Sequence, residues 1–145
     1  MPDQPTGLSR SEQNKTIIRR LYDEVHSGGN LNIIDEIYAH DVEVHIPGLP
    51  EDPYGPAMIK ELIRKIHEAF PGVMVTVEDL IAEHDKVVAS VMWRGPVLGR
   101  GQGASPRNPL VAWPRLDIYR IVNDRIVEQW ADRDDLAALH QLGIT

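Results

Sequence analysis

The sequence predicts an α+β domain: helices come early, and a curved, mostly antiparallel sheet comes late. Three observations carry this. Segments ahead of residue 72 place apolar residues at helical spacing. From Val73 onward the apolar period drops to two and stays there. Finally, Trp113 to Asp134, WPRLDIYRIVNDRIVEQWADRD, reads as two long strands joined by Val122-Asn123-Asp124-Arg125 and running into a helix. Asn and Asp tolerate the positive φ that a two-residue hairpin turn demands.

Taken in order, Asn14 to Ser27 carries Ile17, Ile18, Leu21, Tyr22 and Val25 on one face, and Gly28-Gly29 stops it. Asn30 is a good N-cap for a second short helix, Leu31 to Tyr38, burying Ile33, Ile34 and Ile37. Val42 to Ile46 alternates as a short strand, with Glu43 and His45 on one face. A Pro-rich loop follows, and Pro56 suits the first turn of a helix over Ala57 to Phe70. That helix presents Ile59, Leu62, Ile63, Ile66 and Phe70 to a core, and Pro71-Gly72 ends it. Val73, Val75, Val77 and Ile81 suggest the next strand; Glu83-His84-Asp85-Lys86 turns it into Val87 to Arg94. Gly95 to Pro109, rich in Gly and Pro, reads as a connection or flap. After the hairpin, Asp132 or Arg133 caps a last helix with Leu136, Leu139 and Leu142 buried. The order is α-α-β-α-β-β-β-β-α, a single domain over residues 1–145, with 1–13 as a flexible arm.

Composition narrows the function classes. A net charge of -7, with no Lys/Arg stripe, argues against nucleic acid and anionic membranes. There is no cysteine, which excludes disulfides, thiol catalysis and Cys-bound metal. No window resembles a signal peptide or a spanning segment, so a cytoplasmic location is the expectation. His40, His45, His67 and His84 show no metal-binding spacing on a helix, and no metal is expected. Neither a nucleophile-elbow motif nor a phosphate loop is present.

The candidate site lies in the final hairpin. Arg115, Asp117, Tyr119, Gln129, Asp132 and Asp134 are polar groups set among apolar ones, a plausible floor for a small-molecule pocket. A carboxyl group in an apolar enclosure favours its protonated form unless a cation pairs with it, and such a group suits acid/base work. Asp117 fits that role, or it forms a structural ion pair with Arg115, its i+2 neighbour. Arg115 could instead hold a carbonyl or enolate oxygen. Asp132 and Asp134 sit at a strand-to-helix junction, as catalytic acids or as caps. His45 is a neutral-pH proton carrier if its face looks inward. Tyr22, on the buried face of the first helix, either reaches a ligand with its phenol or packs in the core with its hydroxyl satisfied, and Trp113 and Trp93 are candidate wall residues. Gln129 and Trp130 have opposite strand phase, so an inward Gln129 puts the Trp130 indole outside, where it suggests a homodimer interface.

The chain resembles the SnoaL-like polyketide cyclases, or ester cyclases, of the NTF2-like superfamily. The matching pieces are Asn14-Lys15 before Ile18-Arg19-Arg20-Leu21-Tyr22, Gly28-Gly29-Asn30-Leu31, and Ala69-Phe70-Pro71-Gly72 leading into Val75 to Ile81. Trp93-Arg94-Gly95, Asp117 to Ile121, Ile126 to Trp130, Asp134 and Gln141-Leu142-Gly143 also match. The resemblance implies a cone: a curved sheet wrapped around three N-terminal helices, with a short C-terminal helix and one apolar pocket. It also implies cofactor-free acid/base chemistry on a small hydrophobic carbonyl compound, either intramolecular aldol cyclisation or isomerisation. Hydration, dehydration or epoxide opening on the same fold is the alternative, and a non-catalytic binding module is another. In the family's cyclases an acid on the last strand is the general acid/base. Its position falls on Ala131 here, and the substrate-binding Gln and His fall on Arg115 and Asp117. The acid is therefore expected from Asp117, Asp132 or Asp134.

Overall fold

The computed structural model describes residues 9–46, 55–96 and 110–132. Helix α1 spans Arg10–Arg20, four residues earlier than the apolar spacing indicated. Its start is fixed by Ser9, whose Oγ accepts the Glu12 N–H at 3.1 Å in the Ser-x-x-Glu spacing of a capping box. The first turn thus takes up part of the expected arm. At Leu21–His26 the helix widens into a π-helical turn, marked by the Ser27 N–H bonding Tyr22 O at 2.9 Å. The widening keeps Leu21, Tyr22, Val25 and His26 all buried. Gly29, at φ 77°, then takes the left-handed conformation that ends the helix, and its N–H bonds Val25 O.

Helix α2 is Asn32–Ile37, and strand β1 is Tyr38–His45. Tyr38 therefore opens a strand, contrary to the helical reading. Helix α3, Gly55–Ala69, packs against β1 and buries Ile59 and Ile63. Strands β2 (Met74–Glu83), β3 (Lys86–Pro96), β4 (Leu110–Val122) and β5 (Arg125–Asp132) complete one sheet of order β1-β5-β4-β3-β2. All pairings are antiparallel except β1 with β5, which is parallel: α3 carries the chain from β1 to β2 at the far edge, and three antiparallel steps bring it back to β5 beside β1. The β4–β5 turn is as expected: Asn123 and Asp124 have φ of 52° and 63°.

One face of the curved sheet looks at the helices. It carries Val75, Val77, Leu80, Val87, Ala89, Val91, Trp93, Trp113, Tyr119 and Ile121, which meet Ile18, Leu21, Tyr22, Val25, Ile34 and Ile37 in a single core. Each fully buried aliphatic side chain there contributes about 1.5–3 kcal/mol. A bulge between Val77 and Asp79 shifts the phase of β2, so Leu80 turns inward and Ile81 outward, 59 % exposed. The strict alternation that grouped Ile81 with Val77 fails at that residue. The expected last helix and most of the Gly/Pro-rich connection, residues 97–109, lie outside the described residues. Among the described residues, no helix is long and apolar enough to cross a membrane.

Candidate active site

Strand β4 has inverted polarity. Trp113, Arg115, Asp117, Tyr119 and Ile121 point to the core side, while Pro114, Leu116, Ile118 and Arg120 point away. Leu116 is 46 % exposed, yet Asp117 is only 2 % exposed. A carboxyl group is tolerated at that depth only where donors satisfy it. Asp117 has three. Tyr22 O–H donates to its Oδ2 at 2.7 Å, Arg115 Nη2 donates to its Oδ1 at 3.3 Å, and Tyr119 O–H reaches Oδ2 at 3.5 Å. The Tyr22 and Tyr119 hydroxyls are themselves 2.7 Å apart. A phenol has one proton to give, and the short bond assigns that of Tyr22 to Asp117. Tyr119 then donates to Tyr22, and the order Tyr119, Tyr22, Asp117 forms a buried hydrogen-bonded chain.

The electrostatics follow from burial. Desolvation and then the Asp117 charge push the Tyr22 phenol well above its ordinary range; desolvation and the neighbouring phenol Tyr22 do the same for Tyr119. Both remain proton donors. Burial alone would lower Arg115, but Asp117, Tyr119 and Tyr22 together outweigh it and hold the guanidinium charged. Beside this chain, Tyr38 O–H donates to Gln129 Oε1 at 2.6 Å, and Gln129 is the cross-strand neighbour of Tyr119. An aromatic wall adjoins it: Phe70 meets Trp113 at 4.9 Å between centroids, Trp113 stacks on Trp93 at 6.0 Å, and Arg115 lies 5.4 Å from the Trp93 ring.

The fold thus brings Asp117, Arg115, Tyr22, Tyr119, Gln129 and Trp113 to one side of the sheet. Of the two expected readings of Asp117, the ion pair with Arg115 is present and buried. His45 does not join them. It is in register with Trp130 on β5, on the opposite face, where it stacks on that indole at 5.5 Å and bonds Glu128 Oε2 at 2.8 Å. Alternation along β1 left its face open; the parallel pairing with β5 decides it. Glu128 is also held by Arg120 at 3.2 Å. Glu43, His45 and Glu128 place three ligand-type atoms within 4.8 Å of one another, a group built across two strands and therefore absent from any linear spacing. The Arg120 guanidinium on Glu128 works against a dication there.

Asp132 closes β5 with Leu116 as its register partner, and Asp134 lies outside the described residues. Ala131, by contrast, is directly opposite Asp117. Sequence reasoning missed His26. The imidazole sits 5.2 Å from the Tyr22 ring and 5.2 Å from that of Trp93. Burial, then the charges of Arg115 and His67, push its pKa down to about 3, so it is neutral. Its spacing of four from Tyr22 on one helix was the available signal.

A small cone-shaped α+β domain with a buried acid and phenols beneath its helices defines the class: an NTF2-like fold with polar side chains in its interior. The chain belongs to the SnoaL-like polyketide cyclase family, whose model matches residues 16–142. Among curated proteins there is no match. Among solved structures, it is similar to wild-type IdmH, a candidate polyketide cyclase from Streptomyces antibioticus, with TM-score 0.80 and 27% identity over 90% of this chain and 99% of that one. A candidate polyketide cyclase from Acidithiobacillus ferrooxidans gives TM-score 0.80 and 26% identity over 94% and 98%. AclR, a candidate hydroxylase from Streptomyces galilaeus, shares the fold at TM-score 0.77 and 20% identity over 93% and 83%.

Proposed function

We propose that this protein is a cofactor-free acid/base enzyme acting on a small hydrophobic carbonyl compound, by intramolecular aldol cyclisation or isomerisation. The observation that carries the reading is Asp117: a carboxylate 2 % exposed, gripped by Tyr22 at 2.7 Å and by Arg115 at 3.3 Å, with Tyr119 behind. The register supports it. Ala131 stands where the family's cyclases place their acid, and Asp117 is its direct cross-strand partner. Side chains so paired have Cβ atoms about 4.5–5.5 Å apart.

In this reading the ligand lies between the helices and β4, against Trp93 and Trp113. Asp117 removes a proton from the carbon alpha to a carbonyl, and the electron pair moves onto the carbonyl oxygen as an enolate. Arg115 stabilises that oxygen. In cyclisation the alpha carbon then bonds to a second carbonyl carbon, and the resulting alkoxide takes the proton back from Asp117. In isomerisation the proton returns at another carbon. Tyr22, backed by Tyr119, holds the carboxylate through Oδ2 and Arg115 holds it through Oδ1, and each oxygen keeps a lone pair for the proton.

The buried ion pair also favours a second reading, a binding module in which Asp117 and Arg115 are purely structural. Deuterium separates the two. Wild-type protein in D2O should label the methyl group of a bound aryl methyl ketone such as 2-acetylnaphthalene. Asp117→Asn should stop this and Asp132→Asn should not. Labelling that survives Asp117→Asn removes the acid/base assignment. We further propose a homodimer formed through the outer sheet face, where Ile81, Val88, Ile118 and Trp130 line up in one cross-strand row.

A further inference from the structure

A polar atom buried without a partner keeps the full cost of leaving water. His26 Nδ1, Trp93 Nε1 and Arg115 Nε are all in this condition. They are neighbours. The His26 and Trp93 rings meet at 5.2 Å, edge to face, and the Arg115 guanidinium lies 5.4 Å from the Trp93 ring. The same three residues border the acid chain, since His26 is beside Tyr22 and Arg115 is bonded to Asp117.

The chemistry of these atoms is specific. The indole N–H and the guanidinium Nε–H can only donate, and the neutral imidazole donates through Nδ1 in one tautomer. Two fixed donors, one of them on a cation, call for an acceptor. The Nε–H of an arginine shares an edge of the guanidinium with one Nη2–H. Here Nη2 is on Asp117, so an acceptor seated on Nε lies beside the carboxylate. The local surround is aromatic: Trp93, Trp113, Phe70, Tyr22 and His26. His26 reaches this place from the π-helical turn, in which it and Tyr22 are both buried.

We propose that Trp93 Nε1, Arg115 Nε and His26 Nδ1 form the seat for a ligand carbonyl oxygen, and that the ligand class is a flat aryl ketone. This deepens the acid/base reading and rests on it for the oxygen's role: the seat is where enolate charge would gather, one guanidinium edge away from the base. His26 and Trp93 bind the oxygen, and Arg115 serves both oxygen and carboxylate.

The test uses the full chain and two probes of one shape, 2-acetylnaphthalene and 2-ethylnaphthalene, which lacks the oxygen. The three tryptophans give three indole N–H signals in a nitrogen-15 correlation spectrum, and Trp93→Phe names one of them. The ketone should move the Trp93 signal downfield and bind about tenfold or more tighter than the hydrocarbon. Trp93→Phe keeps a ring but loses the donor, and should erase most of that preference. Asp117→Asn should keep the preference while losing deuterium labelling. Equal binding of the two probes, binding of neither, or a preference that survives Trp93→Phe overturns the seat. Loss of labelling in Asp117→Asn without an oxygen preference would sink the seat and leave the base standing; the reverse pattern would do the opposite.

Discussion

Replacing His26 by glutamine should flatten the acid side of the stability profile. In the folded protein, burial backed by Arg115 and His67 lowers the imidazole pKa from 6.5 to about 3. The sign follows from proton counts. Below 6.5 the unfolded chain binds a proton at this histidine, and the folded chain refuses it until about pH 3. The stability tied to neutral His26 is therefore complete above 6.5 and is lost as the pH falls towards 3. At about 1.36 kcal/mol per pH unit, going from 6.5 to about pH 5 removes about 2 kcal/mol. Urea unfolding followed by circular dichroism, near neutrality and at about pH 5, measures this directly. The other titrating groups are common to both proteins and cancel in the difference, so wild type should lose about 2 kcal/mol more than His26→Gln. Profiles parallel within about 0.5 kcal/mol would refute the claim that His26 is buried and neutral.

Two further outcomes follow from the same contacts. Tyr22→Phe strips the central hydroxyl of the buried chain and leaves Asp117 Oδ2 and the Tyr119 phenol only each other, 3.5 Å apart. It should cost about 1.5–3 kcal/mol in urea unfolding, more than Tyr119→Phe, which removes only the chain's end; equal costs would contradict the order of donation. On the outer face, sedimentation should find wild type dimeric and an Ile81→Lys, Ile118→Lys double variant folded but monomeric. A variant that stays dimeric would remove that interface.

Much of the fold was readable because its signals are local. The Asn123-Asp124 turn, the switch to period two at Val73 and the alternation through Arg115, Asp117 and Tyr119 each depend on a few adjacent residues. The candidate site was readable for a related reason: polar groups on the core phase of a strand whose other face carries Leu116 and Ile118 contradict ordinary burial, and the contradiction marks the place. What escaped depends on partners distant in sequence. One extra residue between Val77 and Asp79 turned Ile81 outward, and no propensity announces a bulge. The phase of β1 was clear, but its sense was not, until pairing with β5 put His45 beside Trp130. His26 was lost although its spacing of four from Tyr22 puts both on one helix face, because a histidine near a helix end reads as a solvent-facing residue until its aromatic neighbour Trp93 is in place. Tyr38 was given to a helix although it opens a strand, which starts four residues before the expected Val42, and this hid its bond to Gln129.

The central claim is that Asp117 moves a proton. Its most direct test is the rate at which D2O labels the methyl group of bound 2-acetylnaphthalene, in wild type and in Asp117→Asn shown by circular dichroism to be folded. The account predicts a fall of about 10²–10⁴-fold with the ketone still bound, the usual contribution of a positioned general base. A rate in Asp117→Asn within about threefold of wild type, ketone bound in both, would contradict it.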